Sequence, residues 1–347
     1  MHIWKHAPVI CLLLLSAAAI ETGFSEEKLS SDAQKACQKL KPSYRRPAEV
    51  PYPKENAYTP ERAELGHTLF FDPRISGGGT MSCASCHNPA FSWGDGLPKG
   101  VGHRANQLGR RTPTILNAAW GELMFWDGRA ASLEEQALKP AENPDEMGGS
   151  VANAITRFQS IPGYRTLFQK AYPNEGMTPA VIAKAIATYE RGVVSGKAPF
   201  DRWVDGDDKA ISVAAQRGFY LFNTKANCAT CHSGWNFTDQ GFHDIGVADE
   251  DNGRGKLMPM IPPLQHAFKT PTLRNAALRA PYLHNGSEAT LADVVAFYNK
   301  GGKAKRPSLS DDVRSLHLTG KEQADLVEFL QTLTGEDAPT TVPVLPQ

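Results

Sequence analysis

Two five-residue segments of the 347-residue chain carry residue types that could do chemistry, because each has the form Cys-x-x-Cys-His. Two thiols one helical turn apart can add to the two vinyl groups of a haem, and the adjacent histidine then reaches the iron. A disulfide framework, a zinc site or a thioredoxin-like pair has no need of that histidine. We predict two covalently bound haem c groups with these attachments: Cys83, Cys86, Cys228 and Cys231 for the covalent bonds, and His87 and His232 as iron ligands.

The two haem segments lie in two copies of one longer pattern. Residues 112–119 read Thr-Pro-Thr-Ile-Leu-Asn-Ala-Ala, and residues 270–277 read Thr-Pro-Thr-Leu-Arg-Asn-Ala-Ala, so the copies are offset by 158 positions. The same offset relates Gly128 to Gly286. Two copies with one haem each indicate a duplicated haem domain with a pseudo-two-fold relation.

Helix signals, rather than strand signals, surround these motifs. Threonine followed by proline at 59–60 and at 178–179 is typical of a helix start, and the first of these helices should run to about Phe71. Thr319 should cap a last helix that runs through Leu333. We therefore expect an all-α fold joined by Gly- and Pro-rich loops, with an N-terminal haem domain at 52–194 and a C-terminal haem domain at 195–340.

The composition and the first residues bear on partners and location. The chain has 37 basic and 37 acidic side chains, which argues against a nucleic-acid partner bound through bulk charge. Residues 1–20 have a short polar start, a mostly apolar stretch and small residues at 17–19, as in a secretory signal peptide. The alternative is a retained anchor, but the apolar stretch is shorter than the ~20 residues of a spanning helix. We expect an exported, periplasmic protein without stable membrane insertion, and Cys37 remains as a free thiol or an intermolecular link.

Four further motifs carry a resemblance to a known family. They are Leu-Phe-Phe-Asp-Pro-Arg at 69–74, Phe-Trp-Asp-Gly-Arg-Ala at 125–130, Glu-Met at 146–147 and Ala-Pro-Tyr-Leu-His at 280–284. In their order and spacing around the haem segments, they resemble the bacterial di-haem cytochrome c peroxidases and MauG over nearly the whole mature chain. The resemblance implies two all-α, cytochrome c-like domains with the haems near a shared interface.

The resemblance also implies roles around the first haem. Trp126 would lie between the haems and bridge them, Gln136 and Glu146 would line the open side of the first haem, and Pro140 would lie nearby. A carboxylate there can take a proton from bound peroxide and return it to the leaving oxygen. Without the motifs, Glu146 would be interpreted as a solvated loop residue and Trp126 as core packing.

Three residues are assigned around the haem edges by the same resemblance. His103 would cap the resting first haem as a second iron ligand, with a surface loop histidine as the alternative. His284 would lie near the propionates of the second haem, which is compatible with a purely structural histidine. Arg111 stands where the family often has an asparagine of a calcium site, so calcium remains doubtful here.

Tyr298 is expected to be the second iron ligand of the C-terminal haem. MauG-like members carry a tyrosine at this place, whereas the peroxidases carry a methionine, and the internal repeat pairs Tyr298 with Pro140. Phenolate favours ferric and higher iron states, whereas a thioether raises the reduction potential. Met258 and Met260 are rival ligands, and a core tyrosine is the remaining alternative.

Three functions remain open at this point. We expect a periplasmic peroxidase that reduces hydrogen peroxide at the N-terminal haem, with electrons relayed through the C-terminal haem from a cytochrome c or cupredoxin. The first alternative is a MauG-like enzyme that oxidises side chains of a partner protein through high-valent haems. The second is a non-enzymatic di-haem electron carrier. A homodimer is compatible with all three.

Overall fold

The computed structural model describes residues 28–347, so the signal peptide predicted at 1–20 lies outside the described residues. Within residues 28–347, no helix combines the length and apolar character of a membrane span. The α-helices of this range are α1 Ser31–Leu40, α2 Pro60–Phe71, α3 Cys83–Cys86, α4 Leu133–Ala137, α5 Lys139–Glu142, α6 Val151–Gln159, α7 Pro162–Ala171, α8 Pro179–Arg191, α9 Pro199–Val204, α10 Val213–Asn223, α11 Leu291–Asn299 and α12 Gly320–Gln331.

The helix starts follow the capping signals of the sequence. The Thr59 hydroxyl accepts the N–H of Arg62 at 3.2 Å, and α2 then runs from Pro60 to Phe71 as predicted. Thr178 caps α8 in the same way. Thr319 caps α12, which ends at Gln331, two residues before the predicted end. Proline at the first position fits because its missing N–H would have no partner there.

Two short strands differ from the all-α expectation. β1 Phe242–His243 pairs antiparallel with β2 Phe268–Lys269, and the N–H of Lys269 also donates to the Trp126 carbonyl at 2.8 Å. Strands of two residues are too short to show the alternation by which a strand is recognised in a sequence. They attach the loop that carries Trp126 to the C-terminal half of the protein.

Two hydrophobic cores divide the chain. The first includes residues between Leu65 and Val193 and is built around α2 and α8. The second is built around α10 and α12, with buried residues between Phe200 and Leu333. The domain bounds predicted at 52–194 and 195–340 are compatible with this division and remain predictions.

The N-terminal segment with α1 packs on the second core, although it precedes the first domain in sequence. Cys37 is buried in that core, and burial raises the pKa of its thiol to about 11. The hydroxyl of Tyr44 donates to the side-chain oxygen of Asn223 at 2.6 Å. Such a buried, protonated thiol fits a packing role better than an intermolecular disulfide.

The offset of 158 residues also relates backbone features of the two halves. Short 3₁₀ turns occupy Ala118–Trp120 and Ala276–Leu278. The residues before them, Asn117 and Asn275, have φ of 60° and 55°. Asparagine tolerates this left-handed region better than most residues.

Candidate active site

One cavity of about 750 Å³ is lined by residues of both halves. It brings together most of the residues predicted from the sequence. On its wall lie Cys83, Cys86, His87, Trp126, Gln136, Pro140, Glu146, Cys228, Cys231, His232, His284 and Tyr298.

The two histidines of the haem segments are prepared to bind iron. Nδ1 of His87 lies 3.2 Å from the carbonyl oxygen of Trp93, and Nδ1 of His232 lies 2.9 Å from that of Phe237. A carbonyl only accepts, so each Nδ1 donates and each Nε2 keeps its lone pair for a metal. Burial lowers the pKa of both imidazoles, which favours this neutral form.

The thiols of the two segments suit covalent attachment of haem. All four are free of disulfides. Burial raises the pKa of Cys86 to about 11 and that of Cys228 to about 12, and the pKa of Cys83 is also raised, mainly by burial. A cavity that disfavours thiolate fits an uncharged thioether better than a thiolate metal site. The residues present therefore fit two haem c groups.

Glu146 occupies the loop after α5 on the side of the cavity that holds Gln136 and Pro140. The side-chain amide of Asn143 donates to Oε1 of Glu146 at 2.9 Å. The Glu146 N–H donates to the Asn143 carbonyl at 3.2 Å. Asn143 thus fixes both the backbone and the carboxylate of Glu146, and the other carboxylate oxygen can engage a ligand.

Trp126 lies on the cavity wall and is held from both halves. Its Nε1 donates to the carbonyl oxygen of Arg111 at 2.8 Å, and its own carbonyl accepts the N–H of Lys269 at 2.8 Å. The indole ring centroid is 6.4 Å from that of His284. These contacts give the ring a fixed position among residues of both halves.

His284 is a buried member of an aromatic stack. Its ring lies 3.6 Å from that of Phe268, with only 12° between the planes. Nε2 lies 2.7 Å from Oδ2 of Asp249. Burial opposes ionisation of Asp249, but the hydrogen bond from His284 lowers the pKa of that carboxyl. One ring nitrogen is thus already engaged, and the predicted place near a propionate remains a prediction.

His103 is not among the residues that line the cavity, and its expected role as a cap of the first iron remains a prediction. Its N–H donates to the Glu146 carbonyl oxygen at 2.6 Å. Its ring packs against Gly148, where an added Cβ would lie 2.7 Å from ring atoms, and near Gly78. Because these glycines lack side chains, the imidazole can lie close against their backbone.

Tyr298 lies on α11 and on the wall of the C-terminal side of the cavity. Burial raises the pKa of its phenol, so an ionised Tyr298 would need a nearby cation. The rival ligands lie elsewhere, since Met258 is 36% exposed and Met260 is 89% exposed, and neither lines the cavity.

Arg111 and Arg279 occupy the buried seam between the halves. Nη2 of Arg111 donates to the carbonyl oxygen of Arg279 at 2.5 Å. The backbone N–H of Arg111 donates to the His284 carbonyl at 2.8 Å. Burial lowers the pKa of both guanidinium groups. Arg111 thus adds a positive charge beside a backbone oxygen, which is unfavourable for a calcium ion at the same place.

Sequence reasoning missed many polar residues of the cavity wall, among them Asn143, Glu190 and Lys269. Asn143 precedes Pro-Asp-Glu, a spacing typical of an Asx turn, and could have been found from that signal. Lys269 donates from Nζ to the Leu123 carbonyl at 2.6 Å, and burial lowers its pKa to about 8. No motif marks Glu190 or Lys269, because their positions depend on how helices and strands pack.

Comparisons with known proteins agree with this geometry. The family model described as "Di-haem cytochrome c peroxidase" matches residues 60–209, and the "Cytochrome c" model matches residues 215–334. The methylamine utilization protein MauG of Methylorubrum extorquens is 48% identical over 95% of this chain and 94% of its own length. The cytochrome c551 peroxidase of Pseudomonas aeruginosa is 34% identical over 82% of each chain.

Solved structures show the same fold. The crystal structure of a MauG-like protein associated with microbial copper homeostasis has a TM-score of 0.77 at 33% identity, over 84% of this chain and 95% of that one. The diheme peroxidase BthA from Burkholderia thailandensis has a TM-score of 0.70 at 25% identity, over 81% and 87%. The chain therefore belongs to the di-haem cytochrome c peroxidase and MauG family, as an oxidoreductase that carries two covalently bound haem c groups.

Proposed function

We propose that this protein is a periplasmic, MauG-like enzyme that uses hydrogen peroxide to oxidise side chains of a partner protein. The observation that carries the proposal is the pair of positions of Tyr298 and His103. Tyr298 lines the cavity, whereas His103 packs outside it on Gly148. This choice favours the first alternative of the sequence analysis over a peroxidase driven by a small electron donor.

The place of Tyr298 supports storage of oxidising equivalents at the second haem. When bound, the two haems supply the iron redox chemistry that accepts these equivalents from hydrogen peroxide. A phenolate ligand stabilises ferric and higher iron states, whereas a methionine would favour the ferrous state. As a ligand, Tyr298 would make the second haem poorly suited to accept electrons from a mild donor and better suited to oxidise a protein.

The place of His103 supports a first haem that is open in its resting state. A histidine cap would require prior reduction to release it. The ring of His103 rests on backbone near Gly78 and Gly148, and its N–H is bonded to Glu146. Peroxide can then enter without an earlier electron transfer.

Glu146 supplies the acid and base function of the proposal. Its carboxylate takes a proton from one oxygen of hydrogen peroxide and returns it to the other oxygen, which leaves as water. Asn143 holds Oε1 at 2.9 Å and so keeps the carboxylate directed into the cavity. Gln136 on the same wall can hydrogen-bond the peroxide without changing its protonation state.

Trp126 provides the route between the two haems. A rigid aromatic ring on the wall shared by both halves is suited to carry electrons over a distance. Its hydrogen bonds to Arg111 and Lys269 fix its orientation. The repeat at 158 residues further leads us to infer that the two halves arose by duplication and that their roles later diverged.

A peroxidase driven by a small donor protein is the second candidate. It is favoured by the relative named cytochrome c551 peroxidase, and it would use the same Glu146 chemistry. It differs in needing one haem reduced before peroxide reacts. Calcium forms no part of either proposal, because Arg111 already brings positive charge to the seam.

Stopped-flow absorption separates these candidates. Hydrogen peroxide is mixed with the fully ferric holoprotein, and the experiment is repeated after reduction by one electron. The MauG-like function predicts a rapid spectral change of the ferric protein. Reaction only after reduction would support the donor-driven peroxidase and contradict the proposal. Lack of reaction in both states would leave an electron carrier.

A further inference from the structure

Glu190 is a buried carboxyl of the first half that the function described above does not use. It lies near the end of α8, is 4% exposed and lines the cavity. Its Oε2 has no hydrogen-bond partner within residues 28–347. Glu190 is close enough to Cys83, an attachment point of the first haem, for the two groups to interact electrostatically. The carboxyl therefore faces the space of that haem.

None of the ion pairs within residues 28–347 includes Glu190, although a cation lies next to it in sequence. Arg191, the next residue on α8, directs Nη1 and Nη2 to the carboxylate of Glu134 on α4, at 2.6 and 2.8 Å. The other groups that interact with Glu190 are Tyr189 on the same helix and Cys83 on α3, and neither carries positive charge. Burial raises the pKa of Glu190 to about 8, with Arg191 acting against the shift and Glu134 adding to it.

The second half shows that the fold does not require an acid at this position. In the first half, Gly66 of α2 crosses α8 closely, since a Cβ added to Gly66 would overlap the Ala185 carbonyl and lie 2.9 Å from the Cβ of Tyr189. In the second half, Gly218 of α10 makes the same contacts with α12. A Cβ added to Gly218 would overlap the Asp325 carbonyl and lie 2.7 Å from the Cβ of Phe329.

These matched helix crossings identify the counterpart of Glu190. Ala185 and Asp325 are 140 positions apart, as are Tyr189 and Phe329, so Leu330 corresponds to Glu190. Leu330 lines the cavity as well. An apolar side chain thus fills this place beside the second haem, and the carboxyl beside the first haem is not needed for packing.

We propose that Glu190 is a proton-accepting group whose ionisation is coupled to the redox state of the first haem. Reduction by one electron from a chemical reductant is accompanied by transfer of one proton from solvent to a Glu190 carboxylate oxygen, where an O–H bond forms. Oxidation removes the electron and breaks that O–H bond, with the proton returning to solvent. The second haem, with Leu330 at the matching place, lacks this coupling.

The physical basis is the charge balance of a poorly solvated site. The carboxylate offsets part of the positive charge of a ferric haem, and this stabilisation falls when an electron arrives. Since Arg191 is paired with Glu134 and no ion pair among the described residues holds Glu190, protonation restores the balance. The inference concerns only electron and proton uptake, so it holds or fails independently of the peroxide chemistry proposed above.

The test is a spectroelectrochemical titration of the holoprotein at a series of pH values from about 6 to 10, a range that spans the usual titration shift of a buried carboxyl. We expect the midpoint potential of the first haem to fall with rising pH and that of the second haem to change less. Glu190→Gln and Glu190→Leu should remove most of the pH dependence of the first haem. Glu142→Gln, which alters an exposed carboxylate on α5, should leave it unchanged. An unchanged pH dependence in Glu190→Gln would overturn the proposal.

A second measurement covers the case in which the variants fail to load haem. Redox-difference infrared spectroscopy of the wild-type holoprotein, with and without ¹³C-labelled glutamate, reports protonation of a buried glutamic acid directly. We expect a carboxylic acid band that grows on reduction, shifts with the label and is absent from Glu190→Leu where that variant folds. Absence of a label-sensitive band in the wild-type protein would contradict the proposal.

Discussion

The two halves of the molecule hold their haem segments in the same way but surround them with different chemistry. In both, the histidine after the second cysteine donates a hydrogen bond from Nδ1 to a nearby carbonyl oxygen, that of Trp93 in the first half or of Phe237 in the second. In both, a helix crossing with a glycine at the contact supports the core. The shared scaffold therefore fixes attachment and one iron ligand, and leaves the opposite face of each haem free to differ.

The differences are concentrated on the cavity wall. Two pairs of lining residues correspond through the offset of 158 positions, and the matched helix crossings give a third pair. In each pair the two residues differ in chemical type. The pairs are Gln136 with Val294, Pro140 with Tyr298, and Glu190 with Leu330. At these positions, the first half offers an amide and a carboxyl, whereas the second offers one phenol and two apolar side chains. This contrast is what the proposal of peroxide chemistry in the first half and charge storage in the second rests on.

The largest expected effect comes from removing the carboxylate of Glu146 in the first half. Glu146→Gln keeps the shape and the contact with Asn143 but cannot accept a proton. We expect the rate of reaction with peroxide to fall by about 10²–10⁴-fold, the usual contribution of a general base. Stopped-flow absorption measures the rate, and Glu142→Gln on α5 is the matched control. Equal rates for Glu146→Gln and wild type would assign the acid and base role elsewhere.

A smaller effect is expected at the residue that positions Glu146. Asn143→Ala removes the amide that donates to Oε1. A hydrogen bond to a charged group contributes ~1.5–3 kcal/mol, so we expect the peroxide rate to fall about tenfold or somewhat more. Asn143→Asp should be worse than Asn143→Ala, since it places two carboxylates together. If both variants react with peroxide at the wild-type rate while circular dichroism shows intact helices, Asn143 does not position Glu146.

The contact between the halves is expected to be sensitive to acid. Arg110 binds Asp127 at 2.7 Å and Asp251 of the other half at 2.6 Å. Burial opposes ionisation of both carboxyl groups, but the hydrogen bonds from Arg110 lower the pKa of each. A lowered folded-state pKa stabilises the fold above the ordinary pKa of aspartate and loses this contribution as the pH falls through the folded-state value.

We therefore expect Arg110→Gln to lower the free energy of unfolding at neutral pH by about 2 kcal/mol, between the values typical of exposed and buried ion pairs. The difference from wild type should shrink below a pH of about 4, the ordinary pKa of aspartate. Urea titrations of the holoprotein at several pH values measure this difference in the free energy of unfolding. The control is Arg129→Gln, which removes contacts with Asp127 and with the Phe125 ring inside the first half and leaves the ion pair between the halves in place. A constant difference at all pH values would show that these ion pairs do not carry the effect.

The features that the sequence reveals are those in which chemistry requires a contiguous pattern. Covalent haem attachment fixes the spacing of Cys83, Cys86 and His87, and a helix start requires a cap such as Thr59 beside its first turn. Tyr298 and Glu146 were assigned from motifs of the family, and the structure brings both to the cavity wall. These predictions depended on local pattern or on a repeated one.

The remaining features depend on tertiary contacts that leave no local signal. The ring of His103 is directed by its contact with Gly148, which is distant in sequence. Glu190 adjoins the apolar face of an ordinary amphipathic helix, and only the crossing of α2 with α8 determines what it faces. The packing of α1 on the far core follows from burial of Cys37 among residues more than 150 positions away.

Resonance Raman spectroscopy of the ferric holoprotein, excited in the region of phenolate-to-iron charge transfer, tests the difference between the halves most directly. Wild-type protein is compared with Tyr298→Phe, which keeps the ring and removes only the oxygen. We predict phenolate vibrations in the wild type that disappear in the variant, while the bands of the first haem stay unchanged. Identical spectra for the two proteins would show that Tyr298 does not bind the second iron and would contradict the division of labour proposed for the two haems.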